Sequence, residues 1–186
     1  MATIPAVARR RHLRRADLRH TPDDGARYEL IDGELYVSAA PGHVHHRATG
    51  RLFATLTTAA PAEFEVLVGP FAVALAQDTE IQPDIIVGRR KDFTEREIVA
   101  PALVVEVLSI STRSVDLVVK RRRLERAGVP SYWVVDPVAR PEEASLLVWE
   151  LGADGVYQEP VRVVGEQPYV AVAPFPVTVV PGQLVR

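Results

Sequence analysis

The chain has 186 residues, with 22 basic and 24 acidic side chains and a formal charge of −2. Hydrophobic residues make up 47% and charged residues 25%, the balance of one ordinary globular domain, which excludes a disordered chain and a polycation that coats nucleic acid over its whole surface. Cysteine is absent, which removes disulfides, thiolate metal sites and cysteine nucleophiles and fits a cytoplasmic setting, and no apolar run reaches the roughly 20 residues of a membrane helix.

In chain order, residues 1–20 carry their arginines behind a short apolar start, the reverse of a secretory signal. They read as a basic, partly helical arm, and residues 21–186 as a single domain. The turn TPDDGA at 21–26 leads into YELI and ELYV, two short strands around Asp32-Gly33. Residues 43–60 have helical spacing, with Leu52, Leu56 and Ala59 on one stripe and Pro61 as the stop. Residues 65–68 and 71–76 read as strands on either side of a Gly69-Pro70 turn, and DIIV at 84–87 as a third. Residues 89–97 are charged and read as exposed. LVVEVL at 103–108 is a near-continuous apolar run with β-branched residues, as in a strand buried on both faces. Capping residues at 109–114 open a helix that runs to about Ala127 and stops at Gly128 and Pro130. YWVV at 132–135 is a further buried strand. Residues 145–149, 156–159 and 161–164 read as a late antiparallel part, and 167–186 as an extended, proline-spaced tail. Strands mixed with two main helices predict an α/β or α+β sheet with helices packed on it.

Three residues resist a purely structural reading. Glu106 stands alone inside ALVVEVL. An ionised carboxylate there is costly unless it pairs, protonates or binds a metal; the alternative is a solvent-facing place on an edge strand or a structural ion pair. Asp84 opens DIIV directly after Gln82-Pro83, a place that a plain turn residue also takes. Lys120 continues the helical stripe of Leu117, Leu124 and Ala127, so a cation falls on an apolar face. Only Lys91 and Lys120 among the 22 basic residues are lysine. Lysine is a compact point charge where arginine is a planar fork; the alternative is a stem that covers core and a head that reaches water. Two carboxylates on neighbouring strands can hold Mg2+, and a nearby ammonium can orient a water or steady charge on a phosphate. That combination is equipment for phosphodiester hydrolysis.

Other residues stand around these three. His43, His45 and His46 open the first helix as a polar cluster, from which His45 can lean towards a site. Glu29 and Glu34 flank the hairpin turn and face different ways if the hairpin is regular. Ser109, Ser111 and Thr112 cap the second helix. The arginines from 121 to 126 are either a solvated face or a local basic patch. Nucleotide-phosphate loops, a serine-hydrolase elbow and a zinc-protease motif are all absent from the sequence.

The segments YELIDGEL, HHRATGRL, QPDIIV, LVVEVLSISTRSVDLVVK and RAGVPSYWVVDP, in this order, resemble the Uma-type restriction endonucleases of the PD-(D/E)XK nuclease superfamily. The resemblance runs from about Tyr28 to the C-terminus and is most specific from Glu106 to Pro137. It implies a restriction-endonuclease-like mixed β-sheet core flanked by helices, with extra N- and C-terminal antiparallel strands. It matches Asp84 with the Asp of the PD motif and Glu106 with the acidic residue of (D/E)XK. Leu108 holds the usual lysine position, and Lys120 matches a lysine moved to the following helix. Glu29, Glu34 and His45 match further family positions. The chain departs from the family at Ile110, where proline is frequent, at Leu124, where tyrosine is common, and at Ser131, where a charged residue is common. The implied activity is a Mg2+- or Mn2+-dependent DNA endonuclease. Asp84 and Glu106 would bind the metal, Lys120 would act on the water or the developing charge, and Glu29, Glu34 and His45 would complete the pocket. A homodimer would suit the two-fold symmetry of a duplex. The rival is a non-catalytic module that binds nucleic acid or another partner on the same scaffold.

Overall fold

In a computed structural model the chain is described over residues 12–186, so the first part of the basic arm lies outside the described residues. The rest of the arm forms a 3-10 turn, Arg15–His20. It is tied down by main-chain bonds from Leu13 N–H to the Gly33 carbonyl (3.1 Å) and from Arg15 N–H to the Gln77 carbonyl (3.0 Å).

The Asp-Gly signal makes the expected hairpin of β1 (Arg27–Ile31) and β2 (Glu34–Ser38). Its turn residues Asp32 and Gly33 have φ of 49° and 76°, the left-handed values such a two-residue turn requires. Helix α1 follows (His43–Ala59), with His45, Ala48, Thr49, Leu52 and Leu56 on its buried stripe. Then come β3 (Phe64–Val68), β4 (Ala72–Ala76), β5 (Thr79–Ile81), β6 (Ile85–Arg89), β7 (Glu97–Ile98) and β8 (Leu103–Val107). A π-type turn, Val115–Lys120, runs into α2 (Arg121–Arg126). The C-terminal part holds β9 (Ser131–Asp136), β10 (Ser145–Glu150), β11 (Val161–Val164), β12 (Tyr169–Ala171), β13 (Val177–Val179) and α3 (Pro181–Val185).

The strands build a five-stranded sheet, β2-β1-β5-β4-β7, a six-stranded sheet, β11-β10-β9-β8-β6-β3, and the β12-β13 hairpin. Both large sheets are mixed: β4–β7 and β8–β9 are parallel, the other pairings antiparallel. The six-stranded sheet is covered on both sides. Ile85, Val87, Leu103, Val105 and Val107 join the core made with α1, α3 and the β12-β13 hairpin. Ile86, Val104 and Leu108 join the core made with the five-stranded sheet and α2. Side chains alternate between faces along a strand, so burying both faces gives the continuous apolar run of β8. The same parity puts Glu106 on the side of Val104, under β1 and the helix that carries Lys120.

Gly69-Pro70 is the expected break between two strands, and it passes the chain from β3 in one sheet to β4 in the other. The structure departs from the sequence reading in three places. Strands β5 and β7 were not foreseen, and β7 falls at the end of the stretch read as exposed. Residues 156–159 form no strand, only a bridge from Tyr157 to Leu151. The tail is not simply extended: it holds β12, β13 and α3.

Candidate active site

Strand register brings the first two candidates together. In the antiparallel pair β6–β8, Ile85 lies opposite Val105 and Ile86 opposite Val104. Continuing that register by one step sets Asp84 beside Glu106. Asp84 is held there by the Val107 N–H, which donates to its Oδ2 at 2.8 Å. His45, one turn into α1 and buried, places Nε2 3.0 Å from the same Oδ2. Its ring is steadied from Thr49, whose hydroxyl lies 3.4 Å from Nδ1. Arg27 Nη2 donates to the other oxygen, Oδ1, at 3.0 Å.

Glu106 faces Lys120. The ammonium stands 2.8 Å from Glu106 Oε1, 2.9 Å from Glu29 Oε2 and 3.3 Å from Asp116 Oδ1. Glu29 reaches the cluster because Arg27, Glu29 and Ile31 alternate onto one face of β1, and Ile31 belongs to the core between the sheets. The other Glu29 oxygen accepts the Gln82 N–H at 2.7 Å. Asp116 precedes Lys120 by four residues, one turn on the same helix face. At 3.3 Å its Oδ1 is within ion-pair reach of the ammonium but off its N–H direction. It is the one buried side-chain oxygen among the described residues without a hydrogen-bond partner. Glu29, Asp84, Glu106, Asp116 and Lys120 are each at most 5% exposed.

Four carboxylates therefore share two cations, Lys120 and Arg27, in a buried space. Burial pushes Glu106 well above its usual range; Lys120 pulls it down, and Asp116, Asp84 and Glu29 add to the rise. Burial would lower Lys120, yet Glu106, Glu29 and Asp116 together hold it well above the ordinary lysine value. The two directions are compatible: one ammonium faces three carboxylates, which favour its charged form, while burial and the other carboxylates disfavour the charged form of Glu106. Burial also raises Asp116. Asp84 goes the other way. Burial raises it, but the hydrogen bond and field of His45, the Arg27 guanidinium and the Val107 N–H outweigh that and hold it at about 2.

The cluster surrounds a cavity of about 20 Å³, lined by Arg27, Glu29, His45, Asp84, Glu106 and Lys120 among others. That is room for one water-sized group. Wider clefts of about 250 and 700 Å³ adjoin it, sharing His45 and the loop before α1.

A divalent ion is what the resemblance implied, and the donor set suits one. Mg2+ takes a few carboxylate oxygens and keeps its waters, and here four carboxyl groups outnumber the two cations beside them. Asp116 supplies a buried oxygen without a hydrogen-bond partner. Among the described residues, no group of three or more His, Asp or Glu side chains is placed to hold a metal ion by itself, so an ion here would keep most of its waters.

Asp84, Glu106, Lys120, Glu29 and His45 are thus drawn into one place. Glu34 is not. Paired with Ile31, it shares the face of Glu29 instead of facing the other way as expected, but it lies exposed at the turn end of the hairpin, lining a separate cavity with Ile31, Gly33 and Tyr36. His43 and His46 are exposed; the His46 ring packs edge-on against His45 at 5.9 Å. The arginines from 121 to 126 divide: Arg123 and Arg126 bind Asp32 in the hairpin turn, while Arg122 is exposed. Sequence reasoning missed Arg27 and Asp116. Both were signalled by spacing, Arg27 two before Glu29 on a strand and Asp116 four before Lys120 on a helix.

The architecture is mixed α+β, with both large sheets mixed and flanked by helices. It matches the solved structure of a "putative nuclease belonging to DUF820 from Anabaena variabilis ATCC 29413" at TM-score 0.67 and 16% identity, over 87% of this chain and 89% of that one. The Uma2 family, described as "Putative restriction endonuclease", matches residues 15–179, and the chain belongs to that family. No curated protein matches the chain.

Proposed function

We propose that this protein is an endonuclease that hydrolyses phosphodiester bonds in DNA with a divalent cation, Mg2+ or Mn2+, held by Asp84 and Glu106. The observation that carries the reading is the buried excess of carboxylates around Lys120 and the small cavity. A module that only binds a partner has no need to bury such a charge. When bound, the cation polarises a phosphoryl oxygen and lowers the pKa of a water.

The chain's own residues do the rest. The Val107 N–H and His45 fix the direction of Asp84, so the carboxylate itself need not turn to meet a cation. Glu29 anchors Lys120 from the neighbouring sheet and fixes Gln82 just before Asp84. Asp116 faces the Lys120 ammonium from one turn earlier on the same helix. Lys120 Nζ therefore presents a fixed positive charge beside Glu106, where negative charge builds on the phosphate. Two such sites in a homodimer would cut both strands of a duplex. The absence of cysteine suits work in the cytoplasm, and no described helix is long and apolar enough to cross a membrane.

The test is nicking of supercoiled plasmid with Mg2+, Mn2+ or EDTA, wild type beside Glu106→Gln. Glutamine fills the same volume and its carbonyl still accepts from Lys120, so the fold is kept. We expect metal-dependent nicking, abolished by EDTA and reduced at least about a hundredfold in the variant. Thermal melts with Mn2+ give a second readout: wild type is stabilised by ligation and Glu106→Gln is not. Cleavage by the variant at the wild-type rate and metal dependence would sink the assignment.

A further inference from the structure

Arg27 is the member of the cluster with no role in the mechanism above. Its side chain is 23% exposed, whereas Asp84, beside it, is 4% exposed and Lys120 is 2% exposed. It lines both the small cavity and the 250 Å³ cleft that opens from it. Of the two cations in the cluster it is therefore the one at the mouth.

The two oxygens of Asp84 are held differently. Oδ2 accepts from a main-chain N–H and meets His45, neither of which can move far. Oδ1 has a single hydrogen-bond partner, Arg27 Nη2. The Arg27 fork is anchored by its other nitrogen, Nη1, on the Gln82 carbonyl at 3.0 Å. The guanidinium is planar and rigid, so leaving Oδ1 means that the whole fork rotates with its side chain about the Gln82 contact. A guanidinium and a divalent ion compete for the same carboxylate oxygen and repel each other. A guanidinium is also the side chain whose paired N–H groups match two oxygens of a phosphate.

We propose that Arg27 is a phosphate-contacting catalytic residue that guards Asp84 Oδ1 in the resting site and transfers to the scissile phosphate when a divalent cation takes that oxygen. The inference rests on the metal-dependent reading above and adds to it the group that neutralises the substrate. It gives the site an order of loading. The cation displaces Arg27, and the freed fork then faces the cleft from which a phosphate arrives. Its field is not wasted in the resting protein, since it offsets Asp84, Glu106 and Glu29.

The test is calorimetric titration of Mn2+ into the full chain as wild type, Arg27→Gln and Arg27→Lys, followed by titration of inorganic phosphate at saturating Mn2+. Removing a competing cation predicts Mn2+ binding about tenfold tighter in Arg27→Gln. Losing the fork predicts phosphate binding about tenfold weaker in both variants, because lysine restores charge but not paired donors. Arg27→Lys, which keeps the cation, is expected to bind Mn2+ close to wild type and controls for folding. Equal Mn2+ affinity in wild type and Arg27→Gln, or phosphate binding unchanged in both variants, overturns the proposal and leaves the metal reading standing. If neither wild type nor Arg27→Gln binds Mn2+, the metal reading falls and this proposal falls with it.

Discussion

Lys120 shows how far a single residue can depend on its surroundings. It is fully enclosed, and its ammonium has three carboxylates within 3.3 Å. Taking it away leaves those carboxylates without their shared cation in low dielectric. Lys120→Met is therefore expected to cost about 3–5 kcal/mol at neutral pH, read by urea denaturation. Glu106→Gln in that background should recover part of the loss, since the two sites share one network and do not add. Full additivity of the two changes would argue that they do not interact. A second residue-scale expectation concerns Glu150 in β10. Burial raises its carboxyl above the ordinary 4.5, against hydrogen bonds from Ser131, Trp133 and Tyr169 that lower it. A raised folded value means stability fully present below 4.5 and lost as pH rises through the raised value. Glu150→Gln cannot titrate, so its Tm should gain on wild type as the pH is taken from acid to neutral. A Tm difference constant with pH would count against burial as the cause. Glu106 and Lys120 were legible in the sequence because each broke a pattern, a charge in a β-branched run and a cation on an apolar stripe. Asp116 was not, because an acidic residue near a helix start looks like ordinary dipole chemistry.

Among the elements, the β1–β2 hairpin was read correctly because its signal is local. Asp32 and Gly33 both adopt left-handed φ, and a Cβ on Gly33 would also come within 2.3 Å of the His12 ring. Gly33→Ala should therefore destabilise by about 1 kcal/mol or more. Asp32→Asn keeps the turn and loses only the half-exposed pairs with Arg123 and Arg126, so it should cost under about 1 kcal/mol. Urea melts that rank the two the other way round would place the hairpin's stability in its ion pairs. What escaped the sequence was short or non-local. Strands β5 and β7 have three and two residues, too few to show a period. That β3 and β4 belong to different sheets is decided by long-range packing, which a turn dipeptide does not encode. Helix α3 was hidden by Pro181, which reads as a breaker but is well placed at the first turn of a helix. The π-type turn also altered the expected face. On a regular helix Leu117 continues the stripe of Lys120 and Leu124, but here Leu117 is only partly buried and Asp116 is turned inwards.

At the scale of the whole molecule, the candidate site is a seam. Arg27 and Glu29 come from the five-stranded sheet, Asp84 and Glu106 from the six-stranded one, and Lys120 from the helix between β8 and β9. The core beneath is shared in the same way, with Ile31, Val73, Ile81 and Ile98 packed on Ile86, Val104 and Tyr132. The two sheets should therefore unfold as one cooperative unit. The chain offers a direct check, because both tryptophans, Trp133 and Trp149, are buried in β9 and β10 of the six-stranded sheet. Tryptophan emission and far-UV circular dichroism should give one coincident denaturation midpoint. Separate midpoints would mean that the five-stranded sheet can come away while the other stays folded.

The near absence of lysine has a practical side. With Lys91 exposed and Lys120 sealed under three carboxylates, an amine-directed reagent meets only one lysine on the native surface. Lys120 becomes acylated only when the helix lifts from the sheets, so the rate of its modification, followed by mass spectrometry, clocks the opening of this site from within.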